Sequence, residues 1–161
     1  MASKRIVMVW TDGSCNNSPE DRVGAAACVL VYNGCLKTVV TSESNTSSAR
    51  QELVAILLAL QAVRPTFNMI IHSDSENSVH LLTGVKKPEK NTDITNKIFD
   101  ILYNFSRQGS KVQFIHIPKD THKYNRLCHT LANELRTQHK TQHETPVKLS
   151  KKKLKADTGS C

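Results

Sequence analysis

The spacing of apolar and polar positions changes several times along the chain, and each change marks a predicted element. "RIVMVWTD" alternates and is rich in β-formers, so it reads as a strand ending at Asp12. "VGAAACVLVYNGCLKTVVTSE" holds two apolar runs around Asn33-Gly34, a dipeptide suited to the tight turn of a β-hairpin. These segments predict an antiparallel meander of three strands. From Ser47 onward "SSARQELVAILLALQAV" takes up helical periodicity, with Ser47 or Ser48 as N-cap and Pro65 as stop. "NMIIHSDS" predicts a short strand that turns polar at Asp74, and "ENSVHLLTG" a short helix closed by Gly84. After the basic loop "VKKPEKN", "TDITNKIFDILYNFSRQG" predicts a helix capped by Thr92 or Asp93 with Gly109 past its end. "KVQFIHIP" is a last strand stopped by Pro118. In "YNRLCHTLANEL" the leucines 127, 131 and 135 share one buried stripe of a final helix, and His129 lies beside it.

Strands joined through helices pair in parallel, because a crossover of that length cannot return antiparallel as a hairpin does. The expected fold is therefore α/β: a mixed five-stranded sheet, a meander of three antiparallel strands plus two parallel ones, with helices on both faces. Past residue 137 "QHKTQHETPVKLSKKKLKADTGSC" is nearly devoid of apolar residues and concentrates lysines, so residues 138–161 are expected to be a disordered basic tail on a domain of residues 1–137.

A chain of 161 residues with 39% hydrophobic content suffices for one core. It has no apolar run of membrane-spanning length, and "MASKRIVMVW" meets charge before a signal-peptide core develops, so an intracellular location is expected. Cysteines at 15, 28, 35, 128 and 161 form neither a CxxC pattern nor an even disulfide framework, which points to a reducing compartment, cytoplasmic or nuclear. The net charge of +8 favours a polyanionic partner, since lysines and arginines gain affinity by releasing phosphate counterions.

Three carboxylates stand where side chains converge: Asp12 at the end of the first strand, Glu52 in the first turns of the first long helix, Asp74 at the end of the strand after it. Singly, each has a local role open to it, in a turn, near a helix N-terminus or as a cap. Jointly they point to a hard divalent cation that neutralises their repulsion and to metal-assisted phosphodiester chemistry.

With "TDGSC", "GAAACVL", "SSARQELVAILLAL", "IHSDSENSVHLL" and "NRLCHTLAN" in this order, the chain resembles the type 1 ribonucleases H over roughly residues 4 to 136. That family cuts the RNA strand of RNA–DNA hybrids. The resemblance implies an RNase H-like fold, Asp12, Glu52 and Asp74 as metal ligands, two Mg²⁺ or Mn²⁺ ions per site, and 5′-phosphate and 3′-hydroxyl products. A fourth family acid belongs in the last helix, in a pattern like N-E-x-x-D-x-L-A; here the chain reads N-R-L-C-H-T-L-A, so His129 takes its place and is expected to ligate metal with a bias toward Mn²⁺. His122 is the candidate for the family's loop histidine.

Ser14, Cys15, Asn16, Asn17 and Ser48 are expected to read the minor groove of a hybrid, and Arg50, Lys86, Lys87, Lys90 and Lys119 its phosphates. Glu76 stands where the family often has Gln and would bring an acid near the RNA. "GVKKPEKNTD" is too short for the basic helical handle of some members. Lys151 to Lys155 suggest a nuclear import signal or added nonspecific affinity, and the protein is expected to act as a monomer.

Overall fold

The computed structural model describes residues 4–18, 20 and 22–144. Strands β1 (Ile6–Cys15), β2 (Val23–Tyr32) and β3 (Cys35–Ser44) lead into helix α1 (Ser48–Ala62). Strand β4 (Asn68–Ser73), helices α2 (Glu76–Leu82) and α3 (Thr92–Arg107), strand β5 (Val112–His116) and helix α4 (Lys123–Glu144) follow. The strands lie in the order β3-β2-β1-β4-β5. β1 pairs antiparallel with β2, and β2 with β3, while β4 runs parallel to both β1 and β5. This is the mixed sheet that the hydrophobic pattern and the connections predict.

Alternation along β1 sorts its side chains to two cores. Val7 and Val9 join Met69 and Ile71 of β4 under α1 and α3, where Leu53, Ile56, Leu60, Ile98 and Phe105 complete one apolar layer. Trp10 faces the other way with Ala25, Ala27 and Val29, and meets Cys128 and Ala132 of α4. Small alanines on β2 let α4 settle close to the sheet, so a residue on α4 can reach the side of β1 that carries Asp12.

Local chemistry accounts for most boundaries. Asn33 and Gly34 both take positive φ, 48° and 78°, as a hairpin of primed type requires. Ser47 caps α1 by accepting from the Arg50 amide, and Gly84 and Gly109 sit in the left-handed region past α2 and α3. Three expectations are corrected. β1 continues beyond Asp12 to Cys15, because residues 12–15 find partners along β2. The cap of α3 is Asn91, at φ 55°, and its side chain makes no capping bond. Finally, α4 runs to Glu144, so residues 138–144 of the expected tail are helical; the rest of that tail, with Lys151 to Lys155, lies outside the described residues. Among the described residues no helix is long and apolar enough to cross a membrane, and Cys15, Cys28 and Cys128 are free thiols.

Candidate active site

The acids meet because β1 and α1 touch backbone to backbone. A Cβ added at Gly13 would lie 2.3 Å from the Glu52 nitrogen and 2.4 Å from the Gln51 carbonyl carbon, so only glycine permits the contact. That contact sets Asp12 beside Glu52. β4 is paired in parallel with β1, Thr11 opposite Ser73, which carries Asp74 to the same edge. Asp74 is not the cap of α2; Ser75 is, accepting from the Ser78 amide. The result is a cluster in which one carboxylate oxygen from each of Asp12, Glu52 and Asp74 lies within 4.8 Å of the other two.

Burial and mutual repulsion work against full ionisation here. Asp12 is buried, and loss of hydration followed by the charge of Asp74 raises its pKa to about 6, against the pull of the His129 hydrogen bond. Glu52 is pushed higher, to about 9, first by burial and then by the charges of Asp12 and Asp74. Its Oε2 is buried with no hydrogen-bond partner. An unpartnered acceptor in a nest of crowded carboxylates fits a hard divalent cation, which would supply the missing positive charge and an oxygen-seeking coordination sphere.

His129 reaches this cluster through Asp12. Its Nδ1 lies 2.9 Å from Asp12 Oδ2, and its Nε2 lies 2.9 Å from Asn133 Nδ2. Both ring nitrogens thus have protein partners, and the three residues whose donor atoms converge are Asp12, Glu52 and Asp74, with His129 adjoining them through Asp12. His122 lies in the loop immediately before α4, where the sequence places it. It stacks on Trp10, with centroids 4.5 Å apart and planes at 11°, and its Nδ1 accepts from the Tyr124 amide at the start of α4. Burial is the first cause that lowers its pKa, followed by the neighbouring His72. These contacts include those of a residue capping the start of α4.

The proposed substrate contacts divide similarly. Ser14 donates to Asn133 Oδ1 at 2.8 Å, the Cys15 thiol bonds to the Asn16 carbonyl, and Asn16 closes the end of the β1–β2 pair by accepting from the Val23 amide. Asn17 and Ser48 are exposed. Arg50 is engaged within the protein: its fork holds Asp93 at 2.8 and 2.9 Å and its Nε holds Glu43 at 3.0 Å. Glu76 is exposed in the first turn of α2, 4.0 Å from His80 one turn on. Lys119 is near enough to lower the Asp12 pKa. Lys86, Lys87 and Lys90 line a cleft of about 750 Å³ between the start of α1 and the α2–α3 connection. Sequence reasoning missed Asn77, Ser78 and Asn91 in that cleft, and missed Asn133 altogether. The i, i+4 spacing of His129 and Asn133 was the available signal.

The family model for RNase H matches residues 4–137. Among curated relatives, the ribonuclease H of Thermoanaerobacter sp. is 29% identical over 143 residues, covering 80% of this chain and 88% of its own length. That of Francisella tularensis subsp. novicida is 31% identical over 108 residues, covering 59% and 70%. Among solved structures, the fold is similar to LC11-RNase H1 in complex with an RNA/DNA hybrid, with a TM-score of 0.66, 21% identity and coverage of 80% and 94%. RNase H1 of the halophilic archaeon Halobacterium salinarum gives a TM-score of 0.63, 21% identity and coverage of 80% and 96%. A family match across the sheet and its helices, around three converging acids within β1, at the start of α1 and just past β4, establishes that the chain belongs to the RNase H family of ribonucleases.

Proposed function

We propose that the protein is a metal-dependent endoribonuclease that hydrolyses the RNA strand of RNA–DNA hybrids, leaving 5′-phosphate and 3′-hydroxyl ends. The observation that carries this reading is the converging triad of buried Asp12 with half-buried Glu52 and Asp74: loss of hydration, then mutual repulsion, raises Asp12 and Glu52, and Glu52 Oε2 has no partner. These residues would hold the cations; two divalent ions, when bound, supply activation of a water and charge balance at the leaving oxygen. The protein supplies the fixed geometry. Gly13 holds β1 against α1, and His129 holds one oxygen of Asp12. The lysine cleft beside α1 suits the phosphates of a bound strand.

An all-oxygen donor set accepts Mg²⁺ and Mn²⁺ alike. The expected bias toward Mn²⁺ rests on imidazole ligation, and the hydrogen bond of His129 to Asp12 weighs against it. A second reading, a hybrid-binding module with impaired catalysis, is favoured by the engagement of both His129 nitrogens. Labelled hybrid, duplex RNA and duplex DNA, each offered in Mg²⁺ and in Mn²⁺ to the wild type and to Asp12→Asn, test the pair. Cleavage confined to the hybrid and abolished by Asp12→Asn is the expected result; hybrid binding without cleavage in either ion would establish the second reading instead.

A further inference from the structure

Five side chains of α4 and β1 are linked by hydrogen bonds. Arg136 Nη2 lies 3.3 Å from Asn133 Oδ1, Ser14 Oγ lies 2.8 Å from the same oxygen, Asn133 Nδ2 lies 2.9 Å from His129 Nε2, and His129 Nδ1 lies 2.9 Å from Asp12 Oδ2. The donor inventory fixes the direction of every bond in it. A guanidinium only donates, so the atom of Asn133 that faces Arg136 must be its oxygen. The amide cannot then flip, and its NH₂ must face His129. An NH₂ only donates, so Nε2 must carry the lone pair and the ring proton must sit on Nδ1, pointing at the Asp12 carboxylate.

We infer that Asn133, anchored by Arg136 and Ser14, is a positioning residue that locks His129 in its Nδ1–H form, so that this histidine serves Asp12 as a hydrogen-bond donor and is withheld from the cations as a ligand. The arrangement explains how a histidine occupies the place of a fourth acid without competing for metal. It holds one oxygen of Asp12 in a hydrogen bond. The lock itself is a property of the chain, while its catalytic meaning rests on the ribonuclease reading above.

The test uses the full-length protein with ¹⁵N-labelled histidine, free of metal, at about pH 8, above the ordinary range of imidazole. His129 is assigned by its disappearance in His129→Gln. The expected spectrum has Nδ1 in the protonated range and Nε2 in the lone-pair range. In Asn133→Leu, which keeps a good helix former at the position, the two nitrogens are expected to move toward averaged values. Hybrid cleavage by that variant is expected to lose about tenfold in kcat with KM unchanged, the usual scale for removing a partner one shell beyond a metal ligand. Arg136→Met leaves Asn133 in place but frees its amide to turn, and is expected to shift the same signals part of the way. An Nε2–H signature in the wild type, which needs no variant to fold, overturns the inference, as does an Asn133→Leu spectrum identical to the wild type. An Nδ1–H signature in a protein that cuts no hybrid supports the lock and removes the ribonuclease reading.

Discussion

Glu52 and Asp12 keep protons that the unfolded chain would have released, and this gives the metal-free protein a pH dependence of known sign. Both folded values are raised, to about 9 and about 6, above ordinary values of 4.5 and 3.8. A raised group contributes stability that is full below its unfolded pKa and is lost as pH climbs through its folded pKa. In EDTA the melting temperature should therefore fall as pH rises from about 5 toward 9, and millimolar Mg²⁺ should remove most of the fall by replacing protons with a cation. Scanning calorimetry across that range reads it directly; a metal-free Tm that rises with pH would contradict the burial of these acids. Glu52→Gln should flatten the profile, raise the metal-free Tm at pH 8 by several degrees and abolish hybrid cleavage, as expected where stability is traded for a charged site. His129→Asp restores a fourth acid and removes the bond to Asp12, so it should tighten Mg²⁺ binding and raise the Mg²⁺-supported rate. A lower rate in that variant would show that donation to Asp12 matters more than the added charge. The three acids were legible from the sequence because each interrupts or borders the apolar pattern of a predictable element, although β1 runs on past Asp12. The behaviour of His129 was not, since it depends on which ring nitrogen faces which neighbour, and one of those neighbours, Asn133, is a full helical turn away.

At the scale of elements, the site depends on how closely β1 and α1 approach. Gly13→Ala would place a methyl group 2.3 Å from a backbone nitrogen that has no room to move, so the two elements must separate. The expected cost is about 1–3 kcal/mol of stability, the range for overpacking a tight contact. The accompanying displacement of Asp12 from Glu52 should lower kcat by about 10²-fold. Urea unfolding and single-turnover cleavage measure the two effects separately, and a stable, active Gly13→Ala would mean that α1 yields to the added methyl without disturbing the acids. Arg50 belongs to the same scale. It ties α1 to the end of β3 through Glu43 and to the first turn of α3 through Asp93. Arg50→Met should lower the Tm while leaving the salt dependence of hybrid binding unchanged; a shallower salt dependence would return Arg50 to the phosphate contacts that its basic neighbourhood in sequence suggested. Sequence alone cannot assign an arginine to one role or the other, because its partners Glu43 and Asp93 are 7 and 43 positions away and only the packing of α1 on α3 brings them together. The same reasoning covers α4. Its leucine stripe was plain through Leu135, whereas its continuation to Glu144 carries no apolar signal to read.

The whole molecule carries a charge of +8, and its distribution separates two ways of holding a nucleic acid. Lys86, Lys87 and Lys90 line a cleft built by the fold, whereas residues 145–161 hold five lysines and one aspartate, half of the net charge, outside the described residues. The strand order of the sheet was legible because hairpin and crossover lengths leave few alternatives. The cleft was not, because it forms only where the α2–α3 connection passes the start of α1. Each lysine that neutralises a phosphate adds about 0.7–0.9 to the slope of log affinity against log salt. A chain ending at Glu144 should therefore bind hybrid with a slope smaller by about 2 or more if the terminal lysines take part, with little change in kcat at saturating substrate. Lys86→Ala with Lys87→Ala in the full chain should also reduce the slope, but should raise KM at every salt concentration because these contacts fix the position of the strand. Fluorescence anisotropy between about 50 and 200 mM salt distinguishes the two. Equal slopes for the truncated and full chains would assign electrostatic binding to the cleft alone, and an unaltered KM in the double-lysine variant would move the strand to another face of the molecule.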